Sequence, residues 1–114
     1  MTNTFIATYI VTAYCSCSWC CGTNSQHKLT ASGIFPAQGI TIAAPRSIPF
    51  GTRLHIEGVG WRVVEDRLAK KYDNRIDIYY KSHNEAKKFG KRKLIVKTLG
   101  TPPAIQRYTT KKHE

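Results

Sequence analysis

Residues 61–80 read WRVVEDRLAKKYDNRIDIYY, and this stretch shows how the chain is built. Residues 61–65 and 75–80 are rich in β-branched and aromatic side chains, which are typical of strands. Asp73 and Asn74, which lie between them, are frequent turn residues. The stretch therefore predicts two short strands separated by a loop that ends in a turn.

The same stretch holds the three aspartates of the chain, Asp66, Asp73 and Asp77, although the net charge of the chain is +11. Side chains alternate along a strand, so Asp77 shares one strand face with Arg75 and Tyr79. Asp66 follows the preceding strand. If the two strands are neighbours, both carboxylates open into one groove. A partly buried carboxyl group there can stay protonated near neutral pH and act as a general acid.

The aspartates also have structural explanations. Asp66 can pair with Arg67 or Arg75, and Asp73 can serve the turn alone. A calcium loop is disfavoured, because the stretch lacks the alternating acids and the terminal Glu of an EF-hand. The residues by themselves leave the structural and catalytic interpretations of Asp66 and Asp77 open.

Four further stretches have the composition of short strands, and glycines and prolines separate them. They are residues 5–14, 41–44, 53–56 and 94–99. Ser82-His-Asn-Glu85 has the form of a capping box, and it predicts a short helix over about 82–90 that ends at Gly90. Six short strands and one helix predict an all-β domain, either a small barrel or a sandwich.

Length and composition set further bounds. A chain of 114 residues with 41% hydrophobic residues fits one folded domain, which we expect over 1–100, with a loose basic tail over 101–114. Fourteen of the 18 Lys and Arg residues follow residue 65. This distribution favours anionic partners such as nucleic acid, lipid or wall polymers, unless it is simply a solvated surface. No stretch has the pattern of a membrane span or a signal peptide.

All four cysteines, Cys15, Cys17, Cys20 and Cys21, lie within seven residues, and His27 follows them. Cys17 and Cys20 have the spacing of a zinc knuckle, and the other cysteines or His27 can complete a structural zinc site. Two local disulfides are the alternative if the protein works outside the cytoplasm. Four thiols are expected for an intracellular chain. A zinc site or a pair of disulfides would clamp the loop after the first strand.

Seven short motifs occur in order along the chain. They are Val11-Thr-Ala-Tyr14, Cys15 to Gly22, Thr30-Ala-Ser-Gly33, Ile48-Pro-Phe-Gly-Thr52, Glu65-Asp66, Arg75-Ile-Asp77 and Ser82 to Gly90. Each is weak alone, but together they resemble the three-aspartate, or 3D, domain family. That family is related to the catalytic domain of membrane-bound lytic transglycosylase A and to stationary-phase survival muralytic proteins. The resemblance covers roughly residues 9–99.

The resemblance implies a six-stranded double-psi β-barrel whose groove holds a glycan strand of peptidoglycan. Such enzymes break the MurNAc–GlcNAc β-1,4 bond without water and without a cofactor. An aspartic acid protonates the leaving oxygen and then, as aspartate, takes the proton of the muramyl 6-hydroxyl, which closes onto C1 to give a 1,6-anhydro end. By motif position, Asp77 is this acid/base and Asp66 is the second aspartate of the site.

The motif positions also imply a set of groove residues around the two aspartates. We expect the substrate to contact Tyr14, Thr30, Ser32, Gly33, Arg75 and Tyr79. Tyr72 is a further candidate for stacking on a sugar ring, because aromatic faces suit that contact.

The chain departs from the family pattern at the first aspartate, which usually precedes a proline. Here that place reads Ala43-Ala44-Pro45. Asp73 is the candidate auxiliary acid that would bring the number of aspartates in the site back to three. The departure keeps a non-catalytic wall-glycan-binding module as the second hypothesis. A zinc-containing nucleic-acid-binding module is the third.

The leading hypothesis is a peptidoglycan lytic transglycosylase with possible structural zinc. We expect peptidoglycan glycan strands as its partner, no specific nucleic acid, no membrane span and a monomeric state. Because no signal peptide is recognised, we expect it to reach the bacterial cell wall by release, by another export route or by phage delivery.

Overall fold

The computed structural model describes residues 4–15, 29–69 and 71–99, and six strands and one helix lie within them. The strands are β1 (Thr4–Tyr14), β2 (Thr41–Ala44), β3 (Arg53–Ile56), β4 (Gly60–Arg67), β5 (Arg75–Tyr79) and β6 (Arg92–Leu99), and the helix is α1 (His83–Phe89).

The strands close into a barrel in the order β1, β5, β2, β4, β3, β6. Two pairs, β1 with β5 and β2 with β4, are parallel, and the other pairs are antiparallel. The long strand β1 pairs with β6 through residues 4–11 and with β5 through residues 10–14. This closed, mixed six-stranded barrel with one short helix confirms the predicted fold class.

Alternation along the strands decides which side chains fill the barrel. In β5, Ile76 and Ile78 are fully buried in the core, whereas Asp77 between them points to the other face. Burial of each such aliphatic side chain contributes about 1.5–3 kcal/mol, so the core fixes the face of every strand. The core cluster consists of Val11, Ile42, Ala44, Ile48, Leu54, Ile56, Val64, Ile76, Ile78, Phe89 and Val96.

The helix α1 begins and ends where the sequence predicts. The hydroxyl of Ser82 accepts a hydrogen bond from the backbone N–H of Glu85 at 3.3 Å, which caps the first turn. Gly90 ends the helix with a φ of 71°, a value that glycine adopts without steric cost. Ala86 and Phe89 are buried, and α1 packs against β1.

The barrel uses residues from both ends of the described range, from Thr4 to Leu99. The predicted tail, 101–114, lies outside the described residues. Among the residues that are described, no helix has the length and apolar composition needed to cross a membrane.

Candidate functional site

Two aspartates lie in one row of side chains that crosses four neighbouring strands. Asp66 of β4 is paired with Ala43 of β2, Ala43 with Asp77 of β5, and Asp77 with Thr12 of β1. Residues directly opposite each other on neighbouring strands have their Cβ atoms about 5 Å apart. The two carboxylates therefore stand on either side of Ala43, whose small side chain leaves the space between them open.

A bulge between β2 and β4 brings Asp66 into this row. Val64 is paired with Ile42, but the next residue of β2, Ala43, is paired with Asp66, so Glu65 is the extra residue. Regular alternation would put Asp66 on the core side with Val64. Because one residue is inserted, Asp66 instead shares the outer face with Asp77. Glu65 is fully buried, and its carboxylate accepts a hydrogen bond from the Thr41 hydroxyl at 2.6 Å.

Asp77 has the environment of a general acid. Burial raises the pKa of Asp77 from 3.8 to about 6, the positive charge of Arg75 lowers this pKa, and the negative charge of Asp66 raises it. The Thr12 hydroxyl donates a hydrogen bond to Oδ1 of Asp77. The other carboxyl oxygen can then carry the acidic proton. A carboxyl group with this pKa is still substantially protonated in mildly acidic solution.

Asp66 has a different environment, because three donors converge on its carboxylate. The Tyr14 hydroxyl donates to Oδ2, and the backbone N–H groups of Ala31 and Arg67 donate to Oδ1, each at 2.8 Å. An ionised carboxylate is purely an acceptor, and this arrangement suits that form. Asp66 therefore accepts three hydrogen bonds, whereas the Thr12 hydroxyl donates one to Asp77.

The two aspartates open into one cavity of about 210 Å³. The residues that line it are Tyr14, Ala43, Asp66, Arg67, Leu68, Ala69, Tyr72 and Asp77. The guanidinium of Arg75 lies 4.2 Å from the centre of the Tyr72 ring, so this cation is held beside the cavity. The cavity thus combines two carboxylates, two tyrosines and the cation of Arg67, with a second cation, Arg75, nearby.

The loop Thr30-Ala-Ser-Gly33 contacts the end of β4 through hydrogen bonds to Asp66 and Glu65. Thr30 is buried, and its hydroxyl lies 2.9 Å from the Ser32 hydroxyl. The Ser32 N–H donates to the carbonyl of Glu65 at 3.3 Å, and Gly33 has a φ of 91°. These contacts hold Ala31 against Asp66. Thr30, Ser32 and Gly33 do not line the cavity with the aspartates, and their roles toward substrate stay predictions.

The remaining predicted groove residues lie in different places. The ring of Tyr79 is buried and meets the ring of Tyr14 edge to face, with 5.6 Å between their centres. Tyr79 lines a neighbouring pocket rather than the aspartate cavity. Asp73 is exposed in the turn before β5, and the structure does not bring it into the cavity.

Ala44, which stands where the family usually has its first aspartate, faces away from the cavity. Its exposed fraction is 0%, and it belongs to the barrel core, whereas Ala43 lines the cavity. In this chain, a side chain at position 44 points inward. The alanine there leaves the two carboxylates of the cavity in place.

Part of the predicted zinc or disulfide cluster can be described. Cys15 is buried, and its Sγ lies 3.5 Å from Nδ1 of His83, at the start of α1. The other candidates, Cys17, Cys20, Cys21 and His27, lie outside the described residues. Within residues 4–15, 29–69 and 71–99, no three metal-ligating side chains come together. Zinc and disulfides both stay predictions, and His83 is a neighbour of Cys15 that sequence reasoning did not identify.

Sequence reasoning also missed Thr12 and Ala43, which complete the row of the two aspartates. Thr12 lies two positions before Tyr14, so alternation along β1 places both side chains on one face. That signal was available, but the parallel pairing of β1 with β5 is not encoded in any local pattern. The partner of Asp77 could therefore not be found from the sequence.

Comparison with known proteins agrees with this architecture. A family model of the 3D domain matches residues 40–100, which is more than half of the chain. The chain therefore belongs to the 3D domain family. The matched region contains both aspartates of the cavity.

The chain is also similar to a protein of Bacillus subtilis (strain 168) with the name putative cell wall shaping protein YabE. The two sequences are 29% identical over 97 residues, which is 82% of this chain and 23% of that protein. The chain thus spans less than a quarter of the length of this relative.

Proposed function

We propose that this chain acts on the bacterial cell wall and cleaves peptidoglycan glycan strands as a lytic transglycosylase. The observation that carries the proposal is the pair of aspartates on either side of Ala43, one with a raised pKa and one held by three donors. Such a difference in environment gives two carboxyl groups different roles, here Asp77 as the group that donates and takes back the proton and Asp66 as the negative charge beside it. Membership of the 3D family and similarity to a putative cell wall shaping protein support the substrate class.

In the proposed first step, protonated Asp77 donates its proton to the glycosidic oxygen, and the bond from this oxygen to C1 of the muramyl sugar breaks. Positive charge develops at C1 and the ring oxygen. The carboxylate of Asp66 is on the other side of Ala43, and its negative charge favours this transition state. The Thr12 hydroxyl holds the Asp77 carboxyl group in position through Oδ1.

In the second step, the ionised Asp77 takes the proton of the muramyl 6-hydroxyl. The oxygen of this hydroxyl forms a bond to C1 at the same time. The products are a free hydroxyl on the leaving sugar and a 1,6-anhydro end on the muramyl sugar. Asp77 regains the proton that it gave away, and no water is consumed. One carboxyl group with a pKa near 6 can serve both steps, because it is neither a strong nor a very weak acid.

The experiment compares wild type with Asp77→Asn on purified peptidoglycan, with the soluble products identified by mass spectrometry. We expect Asp77→Asn to reduce the release of anhydro-ended fragments by about 10²–10⁴-fold, the usual contribution of a general acid/base. Anhydro ends and reducing ends differ by the mass of one water. Reducing ends from the wild type would point to hydrolysis, and full activity in Asp77→Asn would disprove the role of Asp77.

Asp73→Asn is the matched comparison, since it is the same substitution at an exposed turn residue that does not line the cavity. We expect it to retain activity. A loss comparable with that of Asp77→Asn would instead identify Asp73 as the auxiliary acid.

The charge of +11 supports a second candidate, a wall-binding module without catalysis. This candidate predicts co-sedimentation of the wild type with insoluble peptidoglycan and no new soluble fragments. The product analysis separates the two functions, because only the enzyme releases anhydro ends.

A further inference from the structure

A second pocket of the barrel differs from the aspartate cavity in its charge. It has a volume of about 630 Å³, three times that of the aspartate cavity. The residues that line this cationic pocket are Pro36, Ala37, Gln38, Gly39, Arg62, Tyr79, Tyr80 and Lys81. Two of them are cations and none is an acid. The pocket therefore presents hydrogen-bond donors without a carboxylate to neutralise them.

Arg62 has unused capacity for hydrogen bonds. Its Nη1 donates to the carbonyl of Trp61 at 2.8 Å, but its buried Nε has no acceptor among the described residues. A buried N–H of a charged group without an acceptor costs free energy, and such groups in native proteins call for an explanation. Arg62 also lines the pocket, so an anionic ligand there would meet the positive charge of the guanidinium.

Two other side chains of the pocket are also arranged as donors. The amide oxygen of Gln38 accepts the backbone N–H of Lys81 at 2.7 Å, so the NH₂ group of Gln38 is left to donate. Lys81 is an exposed residue of the pocket lining and lies two positions after the end of β5. Arg62, Lys81 and Gln38 together fit a ligand that supplies only acceptors, such as a carboxylate.

The cationic pocket and the aspartate cavity are connected through two tyrosine rings in edge-to-face contact. Tyr79 lines the pocket and packs on Tyr14, and the Tyr14 hydroxyl donates to Asp66 in the cavity. Along β4, Arg62 borders the pocket and Asp66 borders the cavity. Four residues of strand correspond to about 13 Å. This distance is within reach of a short peptide attached to a sugar in the cavity, because extended chain covers about 3.3–3.6 Å per residue.

The positive character continues beyond the pocket. A further depression of about 290 Å³ shares Gln38 and Tyr80 with it and is bordered by Lys88 and Arg92, with Glu85 as its single acid. A ligand that leaves the cationic pocket in this direction meets more positive charge.

We propose that the cationic pocket binds the carboxylate-bearing peptide stem of the muramyl sugar, with Arg62 and Lys81 as its anion-binding residues. This inference rests on the proposed function, since the sugar that carries the stem is the one cleaved beside Asp77. Peptide stems are anionic and project from the glycan strand. The pocket accordingly distinguishes glycan strands that carry stems from strands that have lost them.

The test measures binding and not cleavage, so it is informative even if the chain has no enzymatic activity. A soluble disaccharide-peptide and the same disaccharide without its peptide are titrated into the protein, and dissociation constants are measured by calorimetry. We expect the wild type to bind the peptide-bearing ligand about tenfold more tightly, which is the order of one charge-assisted contact. Arg62→Gln and Lys81→Gln should each remove most of this preference and leave binding of the peptide-free disaccharide unchanged.

Each variant has a matched control. Arg53→Gln removes a charge and a buried Nε without an acceptor, but Arg53 does not line the pocket. Lys87→Gln removes an exposed lysine of α1 that borders none of the three depressions described here. Both controls should keep the tenfold preference. Lys81 is exposed, so its variant should fold even if Arg62→Gln does not.

Equal affinity of the wild type for both ligands would overturn the inference. An equal loss of affinity for both ligands in Lys81→Gln would also overturn it. Tighter binding of a polyglycerol phosphate than of the disaccharide-peptide, lost in Lys81→Gln, would assign the pocket to a phosphate polymer and also overturn it. A preference for the peptide without release of anhydro ends would support the pocket and disprove the enzyme. Anhydro ends without a preference for the peptide would do the reverse.

Discussion

The barrel differs in charge between the two ends of β2, and β2, its neighbours β4 and β5 and the residues next to these strands form both ends. Next to Ala43, β4 contributes Asp66 and β5 contributes Asp77. Arg62 lies four residues before Asp66, and Lys81 lies four residues after Asp77. Both line the cationic pocket. This is possible because β4 runs parallel to β2 and β5 runs antiparallel to it.

The lining of the aspartate cavity has two acids and one cation, Arg67, whereas the lining of the cationic pocket has two cations and no acid. A cation close to Asp77 lowers its pKa, as Arg75 already does, and works against its use as an acid. Cations that bind an anionic part of a substrate are therefore best placed at a distance from the carboxyl group that donates the proton. Four residues of strand provide this distance while both sites stay on one rigid barrel.

The largest expected effect distinguishes the two aspartates. Asp66→Ala removes the acceptor of three hydrogen bonds, from Tyr14, Ala31 and Arg67. We expect a loss of about 2–3 kcal/mol in the free energy of unfolding, the scale for contacts to a charged group, and at least a hundredfold loss of activity. Urea unfolding and fragment release measure the two quantities. Unchanged stability would show that these donors find equivalent partners in water.

The second prediction is that a substitution at Asp77 stabilises the fold, whereas Asp66→Ala destabilises it. The pKa of Asp77 is raised to about 6 in the folded state, so the folded chain holds this proton between about pH 4 and 6. The stability that the proton provides is present below the unfolded value and is lost as the pH rises through 6. At pH 7 we expect Asp77→Asn to be more stable than wild type by up to about 3 kcal/mol. Urea unfolding at pH 7 and at pH 4 tests this, since the difference should vanish at pH 4.

A third prediction concerns the hydroxyl that bonds to Asp77. Activity of the wild type should fall as the pH rises above about 6, because Asp77 must be protonated to start the reaction. Thr12→Val keeps the shape of the side chain but removes the donor to the carboxylate. A donor to the charged form lowers a pKa, so its removal should raise the pKa of Asp77 and move this fall upward by about half a pH unit to one unit. A downward movement in the pH–rate profile would contradict this account.

The smallest expected effect is a difference in salt dependence between ligand binding at the cationic pocket and the pH dependence that Asp77 sets. Lys81 is exposed, so its attraction for an anion is screened within about 10 Å at 0.1 M salt. We expect the preference for the peptide-bearing ligand to weaken a few-fold between 0.05 and 0.5 M sodium chloride. The pH midpoint of activity should change less, because Asp77 is largely buried. Measurement of both quantities in one salt series is sufficient.

The sequence predicted those parts of the fold that depend on local patterns. The bounds of β2 and β3 agree with the predicted stretches, and Ser82 caps the helix as expected. Alternation is visible wherever one face of a strand is apolar. It fails at the start of β6, where Arg92 and Lys93 are exposed strand residues that lack a hydrophobic signal. The prediction therefore began this strand two residues late.

The site was less predictable, because it depends on pairing between distant segments. Alternation along β5 correctly put Asp77 on the face opposite the core. The position of Asp66 depends on one inserted residue, Glu65, and no property of the local sequence indicates a bulge there. The importance given to Ala44 came from alignment of motifs, whereas the inward and outward faces of β2 make Ala43 the neighbour of both carboxylates.

The way β1 is shared between its two neighbours has a consequence for folding. Residues 4–11 of β1 lie along β6 and residues 10–14 lie along β5, so one strand closes the barrel and also supplies Thr12. Thr12 and Asp77 are 65 positions apart in the chain. Contacts between such distant residues form slowly, because the entropy of closing a long loop is lost before the contacts stabilise the chain. Chains in which β1 has not yet docked lack the partner of Asp77, so recovery of the Thr12–Asp77 contact during refolding would report closure of the barrel.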